Sequence, residues 1–158
     1  MHSRIFQISK TPICKDDYID ESRYYDHWFV GSVADYVNGD TNRDDDIMWL
    51  AECYGKRGIS FGTDDYGKHF SIEDKAKFFG PDFEQFQKAL KELSTTTLDD
   101  FIGGKCGWQL CSLKAAYSDE IGFYVDGDEV GFETFSDFVR YAELGVKYYI
   151  GATIDYHC

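Results

Sequence analysis

The thiol of Cys106 follows Gly103-Gly104-Lys105 and precedes "GWQLCSLKAAY", a stretch that reads as a helix. A helix N-terminus and a neighbouring cation both favour the thiolate, which is what nucleophilic chemistry needs. The downstream histidine is His157, on a predicted strand, so Cys106 and His157 form a candidate catalytic pair of a cysteine hydrolase. Two features count against it. Only one residue follows His157, so no downstream side chain orients the imidazole, and the usual motif around such a nucleophile is missing. The competing reading is an inert structural cysteine beside Trp108. "GGK" lacks the spacing and the Ser/Thr of a phosphate loop, and H-E-x-x-H, G-x-S-x-G and G-x-G-x-x-G do not occur.

A second cluster is "DTNRDDDIMWLAE", with side-chain oxygens at Asp40, Asn42, Asp44 and Asp46. A calcium loop beginning at Asp40 needs glycine at its sixth position and glutamate at its twelfth. Those positions hold Asp45 and Ala51, and Glu52 falls one residue late. One residue on a helix rotates a side chain by about 100°. The stretch is therefore read as a helix start, capped by Thr41 or Asn42, with Asp44, Asp45 and Asp46 in the favourable field of the first turn. "VDGDE" gathers Asp126, Asp128 and Glu129, but Asp-Gly is also what a two-residue hairpin turn requires. No metal and no cofactor is expected.

Charge is the strongest global signal. The 158 residues carry 29 acids against 16 bases, a net charge of −13. Residues 1–52 hold 11 acids and 5 bases, residues 53–118 hold 9 of each, and residues 119–158 hold 9 acids and 2 bases. Direct binding to nucleic acid or to an anionic membrane needs a cationic face and is not expected. A basic protein partner is. Aromatic residues make up 18% of the chain, and exposed rings favour partner binding. The expected function is thus an acidic protein-binding domain, an inhibitor or DNA-mimic decoy for a basic nucleic-acid-processing protein. Attraction would come from carboxylates of residues 16–46 and 119–137, including Asp44, Asp45, Asp46, Asp126, Asp128 and Glu129, with Tyr24, Tyr25 and Trp28 as anchors. The alternatives are hydrolysis at Cys106 and a non-catalytic domain of other purpose. Five cysteines without C-x-x-C spacing, an N-terminus without an apolar signal segment and no run of membrane-spanning length predict a cytoplasmic location.

The stretch "FVGSVADYVNG" resembles the opening of the ArdA-type antirestriction proteins, which are acidic DNA mimics. The shared elements are the valine–small–serine start, Asp35-Tyr36 and Gly39. The likeness covers about a dozen residues, and the rest of the chain departs from that family. Its aligned segment would be a strand.

Periodicity gives the secondary structure that carries these residues. "RIFQIS" reads as a strand. Residues 26–39 read as a helix, with Phe29, Val30, Val33, Ala34 and Val37 on one face, against a competing strand at 28–32. A helix is predicted over 44–54, then a hairpin turning at 64–67. Ser71 would cap a short helix that stops before Pro81, and Pro81 would open the next. Further helical segments are "TTLDDFIGG" and "CGWQLCSLKAAY". "EIGFYV" and "EVGFE" flank "DGD" as strands, "TFSDFVRYAE" is helical, and "GVKYYIGATIDYH" alternates. There Val146, Tyr148, Ile150, Ala152, Ile154 and Tyr156 share one face, with Lys147, Tyr149, Thr153 and Asp155 opposite. The expectation is a single α+β domain over 1–158: a small, mostly antiparallel sheet with helices packed on it, ending β-β-α-β.

Overall fold

A computed structural model describes residues 1–118 and 122–158. The fold is α+β. Its strands are β1 (His2–Ser9), β2 (Tyr36–Asn38), β3 (Ile59–Asp64), β4 (Gly67–Ile72), β5 (Tyr124–Gly127), β6 (Gly131–Thr134) and β7 (Lys147–His157). The helices are α1 (Arg43–Tyr54), α2 (Lys75–Ser94), α3 (Leu98–Ile102), α4 (Gly107–Tyr117) and α5 (Phe135–Tyr141). The strands form one sheet in the order β3-β4-β7-β1-β5-β6, with β2 joining β7 beyond the end of β4. The β1–β5 pair is parallel and the other pairings are antiparallel. The predicted β-β-α-β ending is present as β5, β6, α5 and β7. Glu120 and Ile121, the start of the predicted strand "EIGFYV", lie outside the described residues.

β7 is central, and its alternation breaks. Phe6 pairs with Thr153 and Ile8 with Ile150, so three steps along β7 match two along β1. This is a bulge at Gly151–Ala152, and one extra residue moves the following side chains to the other face. Tyr148 and Ile150 accordingly join the core that holds Phe6, Ile8, Val125 and Phe135. Ile154 and Tyr156 join a second core with Ile5, Tyr24, Phe29 and Tyr124. The single apolar face predicted from Val146 to Tyr156 is thus corrected to two. Side chains replace the missing ladder bonds. Ala152 N donates to Gln7 Oε1 at 3.0 Å, while Arg43 donates to the carbonyls of Ile150 and Gly151, each at 2.5 Å.

The first core lies under α1, the start of α2 and α5. The second is covered by an irregular layer, residues 19–37, where a helix is predicted from 26 to 39. That segment forms turns and ends in the short strand β2. Gly31 is left-handed at φ 89°, and the Phe29 carbonyl accepts from the N–H groups of Val33 and Ala34. The apolar spacing is real, but a left-handed residue cannot continue a helix, and the turns bury Phe29 completely.

Two further expectations are corrected. Pro81 does not separate two helices: α2 runs through it, capped by Asp74, whose side chain accepts from Lys77 N. Proline disrupts the bonds of the turn before it. In the same turn Arg57 braces α2 from outside, donating twice to the Phe78 carbonyl, at 3.1 and 2.6 Å, and once to Asp82 at 2.5 Å. The β5–β6 connection is not a two-residue Asp-Gly turn. Asp126 and Gly127 belong to β5, and the turn is 128–130, closed by Gly131 at φ 77°.

The β3–β4 hairpin turns at 64–67 as predicted. Asp64 ties it to β7, accepting from Lys147 Nζ at 2.8 Å and the Tyr149 hydroxyl at 3.1 Å. The Lys147 hydrogen bond leads the causes that lower the Asp64 pKa to about 2. A depressed folded-state pKa stabilises above the ordinary carboxylate range, and that contribution fades as pH falls towards 2. An Asp64→Asn variant is expected to show a flatter stability profile than the parent between pH 4 and pH 2, read by urea midpoints. Parallel profiles would contradict the tie.

Candidate functional site

The binding residues suggested by the sequence fall into two environments. Tyr25 and Trp28 are exposed, as are Asp44, Asp45, Asp128 and Glu129. Tyr24, Asp46 and Asp126 are buried. Each buried group has a definite partner.

Asp126 joins the two acidic parts of the chain. Arg23 donates to it through Nε at 2.7 Å and Nη2 at 3.0 Å, a forked, charge-assisted contact. The Tyr24 hydroxyl donates to Asp126 at 2.7 Å. Burial, and then the Asp126 charge, raise the Tyr24 pKa well above that of a free phenol, so it stays a donor. Arg23 Nη2 also lies 3.8 Å from Asp128. Trp28 packs edge-on to Phe132, whose backbone pairs with Asp126 across β5 and β6. Arg23 is the sole base between residues 16 and 42, and a lone cation in an acidic run is the signal that would have marked it for pairing.

Two clefts flank this junction. One, of about 410 Å³, is lined by Asp17, Arg23, Asp126, Asp128 and Glu129 among others. The other, of about 560 Å³, is lined by Lys15, Tyr18, Asp20, Glu21 and Asp44 among others. Ile19 contributes to both. Asp17 of the N-terminal part thus lines one cleft with Asp128 and Glu129 of the β5–β6 turn. Asp119 and Glu120, part of the acidic segment 119–137, lie outside the described residues.

Asp46 belongs to a different cluster, between α1 and the sheet. It accepts from Arg4 Nε at 2.6 Å and from the Thr153 hydroxyl at 2.7 Å, and Arg4 also holds Asp155. Thr41 turns its hydroxyl to Thr153, and the Asn42 amide donates to the Asp45 carboxylate. The expected side-chain cap from Thr41 or Asn42 is not made, although α1 starts where predicted. Asp44 pairs with Lys68 at 2.8 Å, and that hydrogen bond lowers its pKa.

Cys106 stands at the head of α4, as predicted, and is half-buried. His157 ends β7, where it bonds Asp35 and stacks on Tyr36. His2 bonds Asp155, His69 sits beside Asp64 and Tyr149, and His27 packs on Phe132. Among the described residues, no hydrogen bond or ion pair joins Cys106 to a histidine. The same residues contain no group of three or more His, Cys, Asp or Glu side chains placed to hold a metal ion. Nor do they include a helix long and apolar enough to cross a membrane.

Compared with family models, curated proteins and solved structures, the chain matches none.

Proposed function

We propose that this chain is a protein-binding domain whose acidic face engages a basic protein of the kind that processes nucleic acid, as an inhibitor or decoy. The observation that carries this reading is the shared cleft: Asp17 from the N-terminal part lines it with Asp128 and Glu129 from the β5–β6 turn, beside a second cleft where Asp20, Glu21 and Asp44 stand with Lys15 and Arg43. Carboxylates concentrated on one face produce a field that attracts a cationic surface and speeds its encounter. The Arg23–Asp126 fork fixes how the two segments sit against each other, and Tyr25 and Trp28 offer exposed rings on the Arg23 segment. A cytoplasmic setting belongs to the same proposal.

The test is capture from a native lysate of the source organism, with the protein as bait and washes of rising salt. Parent bait should retain basic proteins that leave as salt rises, because contacts between exposed charges are screened. A bait carrying Asp17→Lys, Asp128→Lys and Glu129→Lys should lose them, with affinity for a purified partner lower by on the order of 100-fold. Equal capture by both baits would refute the acidic-face reading.

A further inference from the structure

A different surface makes an independent case. No residue from 80 to 118 belongs to either hydrophobic core. α2 is rooted by Phe78 and then packs on α4, which has no buried residue. The connection carries the apolar side chains: Leu98, Phe101 and Ile102, at i, i+3 and i+4 of α3, are 72%, 73% and 74% exposed. Trp108 and Leu110, in the first turns of α4, are 79% and 56% exposed. The i, i+3, i+4 spacing of Leu98, Phe101 and Ile102 marks a helix face that normally packs against something.

Charge identifies what can cover it. Residues 75–118 hold six bases and five acids, a net of +1. The rest of the chain holds 24 acids and 10 bases, a net of −14. Two copies repel wherever their bodies face each other. They can approach through this arm, where Lys88, Lys91, Lys105 and Lys114 are interspersed with Glu84, Glu92 and Asp99. An anionic membrane is disfavoured by the same acidic body. A twofold contact sets the same patch against itself, so it requires a patch with no large charge of one sign. With large rings burying about 150–250 Å² each, the five side chains offer on the order of 500 Å². That is much of the roughly 800 Å² that each partner contributes to a stable interface.

We propose that the α2–α4 arm is a self-association surface, and that the chain forms a twofold dimer through Leu98, Phe101, Ile102, Trp108 and Leu110. Dimerisation should strengthen with salt, which screens repulsion between the acidic bodies. Binding of a cationic partner should weaken with salt, so the two readings fail separately.

The test is sedimentation equilibrium across protein concentration, for the parent, Trp108→Glu and Phe101→Glu, with circular dichroism to confirm folding. The parent should sediment at twice the chain mass, and each substitution should raise the dimer dissociation constant by roughly 30-fold or more. A parent monomeric throughout would overturn the proposal. So would a dimer that both variants retain, or a monomer that floats with phosphatidylcholine or phosphatidylserine vesicles. The charge-reversed variant Asp17→Lys/Asp128→Lys/Glu129→Lys should remain dimeric; its loss of the dimer would place the contact on the acidic face and overturn the proposal too.

Discussion

Replacing Arg4 with methionine is expected to destabilise the fold by about 3–5 kcal/mol, the range for removing one member of a buried ion cluster. Arg4 bridges Asp46, on α1, and Asp155, on β7, and both carboxylates are nearly inaccessible. The guanidinium also lies 5.6 Å from the Trp49 ring, which helps to shield it. Without Arg4, two nearly buried carboxylates stay near each other, Asp155 keeping only His2 and Asp46 only hydroxyl donation from Thr153. The cost comes from the uncompensated charge more than from the lost bonds, so it should be partly reversible by design. Adding Asp46→Asn and Asp155→Asn to Arg4→Met should recover a large part of the loss in urea unfolding. A loss below about 1 kcal/mol for Arg4→Met alone would mean that water reaches the cluster.

Phe135→Ala should cost a similar amount, about 3–5 kcal/mol, by a different mechanism. Phe135 is completely buried at the start of α5. Its ring stacks on Tyr54 of α1 at 5.0 Å with an interplanar angle of 2°, and meets Phe70 of β4 at 5.5 Å and Phe78 of α2 at 6.2 Å. One side chain thus touches three other elements. Truncation removes its apolar burial and leaves a void that four rigid elements cannot collapse around. The control is Phe83→Ala on the exposed part of α2, which should change stability by less than about 0.5 kcal/mol. Equal urea midpoints for the two variants would contradict this assignment of the core.

Elements whose signals are local were legible in the sequence. The β3–β4 hairpin, α1, α5 and β1 follow from alternation, helical spacing and turn residues. Several of the corrections involve partners far away along the chain. Pro81 lies inside a helix that Arg57 braces from outside, at the carbonyl of Phe78. The bulge in β7 is held by Gln7 and Arg43 from outside the strand, and Gly151 is its one local signal. Residues 26–39 have the spacing of a helix, yet they cover the sheet as turns around Gly31.

The candidate site divides in the same way. Composition made the carboxylates conspicuous, and Asp44, Asp45, Asp128 and Glu129 are exposed. Asp46 and Asp126 are buried against Arg4 and Arg23, partners distant in sequence, and Tyr24 packs in the second core with its hydroxyl on Asp126. The alignment of Asp17 with Asp128 and Glu129 likewise exists only once β5 lies beside β1.

The place of β7 in the sheet also governs how fast the chain reaches its native state. β1 pairs with β7 from His2–His157 to Ser9–Tyr149, so the central pairing joins residues nearly the whole chain apart. Contacts of that span must pay the entropy of closing a very long loop before they gain stabilisation. The β3–β4 hairpin and the α2–α4 pair need only neighbouring sequence and can form first. The two cores cannot close until β7 docks between β1 and β4, because residues of β7 belong to both. High contact order at the centre is therefore expected to slow folding for a chain of this size, with locally formed pieces waiting on one late strand.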